Sequence, residues 1–331
     1  MTFLDSDNIQ STNYKKIAIL VDQYLDLHKG ETFDLDTICR QLQINERENR
    51  NYLTIILSKL VHKTPFPPLD KNNRLYRIRD NNYKSINWVD ADATKSFPIN
   101  WPYGIEDNSR FGFDGHVVIS PGDVIVIAGN SNMGKTSLCL NILWENMDNI
   151  PCTLMGNEYT PIKFKRRVSH MKWKEPTNGS GLPKFELIER RDNWKDIIRP
   201  DNLNIIDWVN MDDNFYRIGS IIEGLQSMLN KGVVVVTLQK NPDKTLGMGG
   251  GFSEHLASLY LSIDYQRMTV VKAKEWFDHN PNNEMYGFEI VNYGTIFNNI
   301  RKIKKCPRCY GTGKLKGSQC ETCQGTCYID A

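Results

Sequence analysis

The sequence predicts an α/β fold, a mostly parallel sheet covered by helices, with a small helical module ahead of it and a metal-binding segment behind. Three observations carry this reading. Val124-Ile125-Val126-Ile127-Ala128 has the unbroken apolar character of a buried strand, and it leads directly into a glycine-containing loop and a helix. From there to about Asn299, β-branched apolar runs alternate with helix-like segments, as they do when parallel strands are joined by covering helices. Finally, five of the eight cysteines (Cys306, Cys309, Cys320, Cys323 and Cys327) crowd into the last 26 residues, a clustering that points to a metal site and not to a disulfide scaffold.

A chain of 331 residues with 40% hydrophobic and 24% charged side chains has room for two or three domains and enough apolar surface for a substantial core. No apolar run approaches the roughly 18 residues of a membrane span, so no membrane partner is expected. The opening residues MTFLDSDNIQ lack the basic-then-apolar pattern of a secretory signal. The expected compartment is therefore cytoplasmic, or the host cytoplasm if the chain is viral. A formal net charge of +2 gives no global argument for a polyanionic partner, and any such argument must be local.

Residues 1–80 read as three helices and a short hairpin. Ile17, Ile19, Leu20, Tyr24 and Leu27 recur at helical spacing, as do Tyr52, Ile55, Ile56, Leu57 and Leu60. Asp70-Lys71-Asn72-Asn73 is turn chemistry, and Leu75 to Arg79 alternates as a strand does. This order resembles a winged-helix domain, whose third helix and wing would carry Arg47, Arg50, Lys59, Lys63, Arg74, Arg77 and Arg79 toward phosphates. The alternative is a solvated face on a protein-docking module. Residues 81–114, polar and aromatic with Phe97-Pro98 and Trp101-Pro102, read as a linker packing against the next domain.

The sharpest motif lies in the core predicted for residues 115–300. Gly129-Asn130-Ser131-Asn132-Met133-Gly134-Lys135-Thr136, followed by Ser137 on the helix to Met147, fits the P-loop pattern between a strand and a helix. Its glycines let backbone N–H groups face phosphate oxygens, and the helix presents its positive end. Lys135 neutralises the β and γ phosphates, while the Thr136 hydroxyl ligates Mg²⁺. ATP with Mg²⁺ is the expected ligand.

Three further strands end in polar residues. Thr153 to Gly156 is followed by Asn157-Glu158 and then a basic helix from about Pro161 to Lys172. Leu203-Asn204-Ile205-Ile206 ends in Asp207, placed to reach the Mg²⁺ shell, with Asp212 and Asp213 as weaker candidates outside the strand. Gly232 to Leu238 ends in Gln239, whose amide beside the γ-phosphate would report hydrolysis to the following loop. For Glu158 the alternative role is helix capping or ion pairing.

Together these residues resemble the RecA-like ATPase core of the DnaB and KaiC type, over about Pro121 to Asn299. The resemblance implies that Glu158 is the catalytic base, Asp207 the metal-holding carboxylate and Gln239 the γ-phosphate sensor. It implies that the glycine-rich loop Asn241 to Ser253 contacts DNA, and that ATP is bound between subunits of a hexameric ring or filament. Cations donated in trans from a late strand would be Lys272 and Lys274 of Thr269-Val270-Val271-Lys272-Ala273-Lys274. The helicase pattern usually has arginine at the second of these positions, and lysine cannot give its bidentate grip. An exposed strand end is the other reading of these lysines. The amino-terminal module also differs from the helical collar of replicative helicases.

In residues 301–331, Cys306-Pro-Arg-Cys309-Tyr-Gly-Thr-Gly313 and Cys320-Glu-Thr-Cys323-Gln-Gly325 supply four thiolates for one tetrahedral Zn²⁺. The pair resembles the zinc-binding repeats of DnaJ over about 20 residues. Cys327, in place of a final glycine, is a spare thiol or an alternative ligand. Arg301 to Lys316 holds seven Lys and Arg and no acid, which suits nucleic-acid backbone contact or, alternatively, a structural or protein-docking cap.

The leading expectation is an ATP-driven helicase or translocase of replication or recombination, acting on single-stranded DNA as a homo-oligomer. An ATP-gated recombination mediator or loader that unwinds nothing is the first alternative, favoured by the absent arginine and the short chain. A KaiC-like signalling ATPase is the second.

Overall fold

The computed structural model describes residues 6–80, 86, 88–209, 217–242 and 244–331, with side chains from residue 13 onward. The chain divides into two compact units, Met1–Ala91 and Asp92–Ala331.

In the first unit, α1 (Ser6–Leu27), β1 (Thr32–Asp34), α2 (Leu35–Gln41), α3 (Arg47–Val61), β2 (Leu69–Asn72) and β3 (Leu75–Ile78) follow one another, and the strands form an antiparallel sheet in the order β1-β3-β2. Asp34 closes β1 and caps α2, its carboxylate accepting the Thr37 N–H at 2.7 Å. Val21, Ile38, Leu53 and Leu57 are fully buried between the helices. Alternation along β3 sends Tyr76 and Ile78 inward, Tyr76 stacking on Phe33 at 5.5 Å, and leaves Leu75 and Arg77 outside. β1 escapes a sequence reading because three residues show no period.

The second unit is built on a ten-stranded sheet. Its elements begin with β4 (Val124–Gly129), α4 (Lys135–Asn146), β5 (Cys152–Gly156), α5 (Pro161–Val168), β6 (Phe185–Glu189), a 3-10 turn at Trp194–Ile197 and β7 (Leu203–Ile206). They continue with α6 (Ile218–Ser227), β8 (Val233–Gln239), α7 (Gly251–His255), β9 (Leu259–Asp264), β10 (Arg267–Ala273), β11 (Met285–Val291) and β12 (Ile296–Lys305). The last three are β13 (Lys314–Leu315), β14 (Ser318–Gln319) and β15 (Tyr328–Asp330).

Strands β6-β5-β7-β8-β4-β9 are parallel neighbours in that order. The inner strands β5, β7, β8, β4 and β9 are mostly apolar because both faces are covered, whereas the edge strand β6 keeps Glu186 and Glu189 exposed. Ile125, Ile127, Leu154 and Val235 face a core shared with α4 and Phe164 of α5, while Val124, Val126, Met155 and Val236 face a second core with Ile218, Ile222 and Leu225 of α6. This is the α/β class, a mostly parallel sheet flanked by helices, that the sequence predicts.

Strands β10, β11, β12 and β15 then extend the sheet antiparallel. The physical reason is connection length: only Tyr265 and Gln266 separate β9 from β10, and a parallel return would need a crossover of about a dozen residues. Between β11 and β12, Asn292, Tyr293 and Gly294 all take positive φ, which reverses the chain in place.

Residues 92–119 pack into this unit through aromatic side chains. Phe111 and Phe113 are fully buried and meet Tyr286 edge-on at 5.9 and 5.7 Å, with Phe288 and Phe297 beside Phe111. Helix α4 is enclosed almost entirely: Trp144 is fully buried with its Nε1 donating to the Met171 carbonyl at 3.1 Å, and Asn146 Nδ2 donates to the Asn100 carbonyl at 2.8 Å. A helix held on all sides gives the loop before it a rigid base.

Candidate nucleotide site and cysteine cluster

Every chemically distinctive strand end converges at one edge of the parallel sheet. Gly129 pairs with Gln239 across β4 and β8, Ile206 pairs with Val236 across β7 and β8, and Asp207 N donates to the Met155 carbonyl of β5 at 2.8 Å. Parallel strands place their carboxyl ends together, and the crevice beyond them is where open α/β sheets bind ligands.

The loop from Gly129 to Gly134 curls over this edge into α4. Gly134 has φ of +102°, a conformation that favours glycine, and a Cβ there would also displace the tip of Ile290, at 2.5 Å from its Cδ1. Lys135 Nζ folds back to donate to the carbonyls of Gly129 and Asn130, both at 2.8 Å, and lies 3.5 Å from Gln239 Oε1. Burial lowers its pKa, against the opposing charges of Asp207 and Glu158. Asn130, Ser131, Asn132 and Met133 form the arch of the loop. Ser137 is engaged elsewhere, its hydroxyl donating to the Gly294 carbonyl at 2.6 Å and tying α4 to the β11–β12 turn.

Asp207 is buried and held at both oxygens. Thr237 Oγ1 donates to Oδ1 at 3.2 Å, and the Tyr159 hydroxyl donates to Oδ2 at 2.6 Å. Burial pushes the Tyr159 phenol well above its ordinary pKa, the Asp207 charge adds to this, and the Arg167 guanidinium opposes it. Glu158 lies two residues past β5 and is exposed, with Trp208 Nε1 donating to its Oε1 at 3.3 Å; the Asp207–Trp208 peptide is cis. Asp212 and Asp213 lie outside the described residues.

Two cavities flank the loop. One of about 350 Å³ is lined by Asn132, Met133, Lys135, Gln266, Phe288 and Ile290. The other, of about 880 Å³, holds Asn157, Glu158, Asp207, Lys163, Arg166 and Arg191. Thr136 and Arg167 line both. The Oδ1 atoms of Asn130 and Asn157 are buried without a partner, a deficit that a ligand would relieve. Oxygen donors on Thr136, Asn157, Glu158 and Asp207 around one cavity are the donor set a hard divalent cation takes. The residues present therefore fit a magnesium nucleotide.

Beyond Gln239 the following loop is tied back to β8, Met248 N donating to the Gln239 carbonyl at 2.7 Å. Gly247 passes so close that a Cβ would sit 3.0 Å from Leu238 Cβ, and its N–H donates to the Tyr260 hydroxyl at 2.8 Å. Lys240 turns inward, its Nζ 2.7 Å from Asp264 Oδ1 and 3.0 Å from Ser262 Oγ. Asp264 also pairs with Arg267 at 2.6 Å, and the Arg267 guanidinium lies 4.5 Å over the Tyr328 ring of β15. Burial would raise the Asp264 pKa, but the Lys240 and Arg267 cations outweigh it and hold the carboxyl below its ordinary range.

Lys272 and Lys274 stand apart from this edge. Lys272 pairs with Tyr260, toward the amino end of β9, whereas Gly129 is level with Ile263 at its carboxyl end. Lys272 Nζ donates to the carbonyls of Glu254 and His255 at 2.8 and 3.2 Å, while the Lys274 side chain is exposed.

Tyr159, Arg167, Lys240 and Asp264 are the site neighbours that sequence reasoning missed. Arg167 alone had a signal, the basic run after Glu158.

At the carboxyl end, Cys306, Cys309, Cys320 and Cys323 are buried with all four sulfurs within 4.8 Å of one another. The Cys306–Cys320 and Cys309–Cys323 sulfur separations are 3.9 and 3.6 Å. A disulfide would need about 2.05 Å, whereas a tetrahedron with Zn–S of about 2.3 Å has edges near 3.8 Å. The cluster could hold zinc. Burial opposes ionisation of Cys309, yet the Gly313 N–H at 3.3 Å and the neighbouring thiols bring it down to about 6. Cys327 is not one of this group of four, and its sulfur lies 3.8 Å from the Gly325 carbonyl.

Neither a protein-family model nor a curated protein matches the chain. Among solved structures, it is similar to a KaiC-like protein from the hyperthermophilic archaeon Pyrococcus horikoshii, with a TM-score of 0.43 and 16% identity over 60% of this chain and 99% of that one.

Proposed function

We propose that this chain is a RecA-like P-loop ATPase that acts on nucleic acid, with single-stranded DNA as its partner and a ring or filament as its working form. The observation that carries the reading is the convergence of Lys135, Asp207, Glu158 and Gln239 at the carboxyl edge of one parallel sheet.

In this reading the arch from Gly129 to Gly134 and Lys135 bind the phosphates, and Thr136 and Asp207 would hold Mg²⁺, which would supply positive charge to the phosphates. Glu158 orients a water and takes its proton. The water oxygen bonds to the γ-phosphorus as the bond to the β–γ bridging oxygen breaks, and that electron pair leaves with ADP. Gln239 reads the γ-phosphate, and its carbonyl bond to Met248 passes the change to the glycine loop.

A nucleic-acid partner is supported by cations that have no ion pair among the described residues. In the winged-helix-like unit, Arg50 is paired with Asp36, Arg79 with Asp70, and Lys59 with the Tyr14 hydroxyl, which leaves Arg47, Lys63, Arg74 and Arg77 exposed. In the tail, Arg301, Lys302 and Arg308 are paired, which leaves Lys304, Lys305, Lys314 and Lys316. Such groups contact phosphates in a salt-dependent way. One observation favours an ATP-gated loader over a motor: Lys272 Nζ is already bound to its own chain.

The test is steady-state phosphate release with and without single-stranded DNA at several salt concentrations. Stimulation that weakens with salt is expected, with Lys135→Ala losing nucleotide binding and Glu158→Gln binding ATP without turnover. Hydrolysis indifferent to DNA would remove the nucleic acid from the cycle, and normal turnover by Glu158→Gln would remove Glu158 from the base role.

A further inference from the structure

Phosphoryl transfer needs a cation that meets the charge developing on the γ-phosphoryl group, and a guanidinium is best shaped to span its oxygens. Lys272 and Lys274 are poorly placed to supply it within this chain, being remote from the loop, and neither is an arginine. The chain nevertheless has an arginine at its own phosphate edge.

Of the residues lining the two cavities, Thr136 and Arg167 are shared by both. One cavity contains the phosphate loop and the other contains Glu158 and Asp207, so Arg167 stands at the junction between phosphates and attacking water. Its mounting is rigid. Thr160 caps α5, and Phe164, one turn before Arg167, packs edge-on against Tyr159 at 5.4 Å while Tyr159 binds Asp207. Just past the helix, His170 stacks on Tyr293 at 4.1 Å and its carbonyl accepts from Asn292 Nδ2 at 3.1 Å, so the β11–β12 turn clasps the other end. Arg167 has no ion pair among the described residues, whereas Arg199 is paired with Glu186 and Arg267 with Asp264. An exposed guanidinium with no ion pair among the described residues, on a fixed helix at the cavity that holds Glu158 and Asp207, is poised for an anion.

We propose that Arg167 is a catalytic cation supplied in cis, contacting the γ-phosphoryl oxygens as the bond to ADP breaks. The inference rests on the ATPase reading and adds a residue to it. Water still forms the new bond to phosphorus, the bridging electron pair still leaves with ADP, and the proton still passes to Glu158; Arg167 transfers nothing and stabilises charge.

The experiment compares the full-length protein with Arg167→Ala, Arg167→Lys and Lys165→Ala, the last altering an exposed neighbour on the same helix that lines neither cavity. Two quantities are measured: single-turnover hydrolysis of bound ATP, and affinity for ADP alone against ADP with aluminium fluoride, which imitates the transferred group. Arg167→Ala is expected to slow hydrolysis by about 10³-fold or more and to lose the extra affinity for the fluoride complex while keeping that for ADP. Arg167→Lys should recover only part of either, and Lys165→Ala should match the wild type. Hydrolysis by Arg167→Ala within about threefold of wild type, or retained fluoride affinity, would overturn the role. A wild-type protein no more active than Lys135→Ala would instead sink the ATPase reading itself.

Discussion

The Tyr159 hydroxyl donates to Asp207 Oδ2 at 2.6 Å, joining the first residue after the glutamate to the carboxylate expected to hold Mg²⁺. Because Thr237 occupies the other oxygen at 3.2 Å, the orientation of Asp207 is fixed before any ligand arrives. Preorganisation of this kind lowers the reorganisation that a charged ligand would otherwise impose.

Tyr159→Phe should therefore act on metal use more than on nucleotide affinity. Loss of a hydrogen bond to a charged acceptor costs about 1.5–3 kcal/mol, so the Mg²⁺ concentration for half-maximal hydrolysis should rise by about ten- to a hundredfold. A Mg²⁺ titration of phosphate release checks this. An unchanged midpoint would mean that Thr237 alone positions the carboxylate.

Asp264 should mark the acid limb of stability. Lys240 is almost fully buried, at 1% side-chain exposure, and Asp264 keeps 24%. Breaking such a pair in Asp264→Asn leaves the ammonium facing a neutral amide and should cost about 2–4 kcal/mol at neutral pH, toward the low side for a pair with one wetted partner. Since the folded carboxyl ionises below its unfolded value, its contribution is present above about pH 4 and is lost as pH falls through the folded pKa. Urea denaturation of both proteins across that range should show the difference closing at low pH.

The cysteine cluster should carry one zinc per chain by elemental analysis, and Cys306→Ser or Cys323→Ser should lose it. Metal binding in small knuckles supplies on the order of 10 kcal/mol of local folding energy. Chelation should therefore release amide protection across residues 306–327 in hydrogen exchange. The core sheet, with its own hydrophobic packing, should keep its protection. Stoichiometric metal retained by both serine variants would reassign the ligands.

Phe113→Ala tests whether the aromatic stretch ahead of β4 is integral to the core. Its ring is fully buried against Trp101 at 5.2 Å and Tyr286 at 5.7 Å. Truncation should cost about 3–5 kcal/mol, read as a lower urea midpoint with an unchanged slope. An effect below 1 kcal/mol would show that the segment merely rests on the unit.

What was legible in the sequence was what chemistry writes locally. Gly129 to Thr136 is a contiguous string, and Asp207 and Gln239 each close an apolar run, so their convergence follows once the strands are parallel. Lys240 and Asp264 are 24 residues apart and Tyr159 and Asp207 are 48 apart, and nothing around any of them announces its partner. The antiparallel direction of β10 to β12 was hidden for a related reason. A strand reads the same whichever way it runs, and only the tight reversals at Tyr265-Gln266 and Asn292-Tyr293-Gly294 decide it.

The pairing of β15 with β12 casts the cysteine module in a different light. Lys305 faces Tyr328 across the ladder, and Cys306 N donates to the Cys327 carbonyl at 3.0 Å. Residues 306–327 are thus an ornament on a hairpin, entering and leaving at adjacent rungs. A segment with such a port is exchangeable: it can be shortened to a tight turn, or swapped for a knuckle of different charge, while the two strands keep their register. That makes the tail a natural point for changing the charge of this sheet edge while the phosphate-loop end of the sheet keeps its strands.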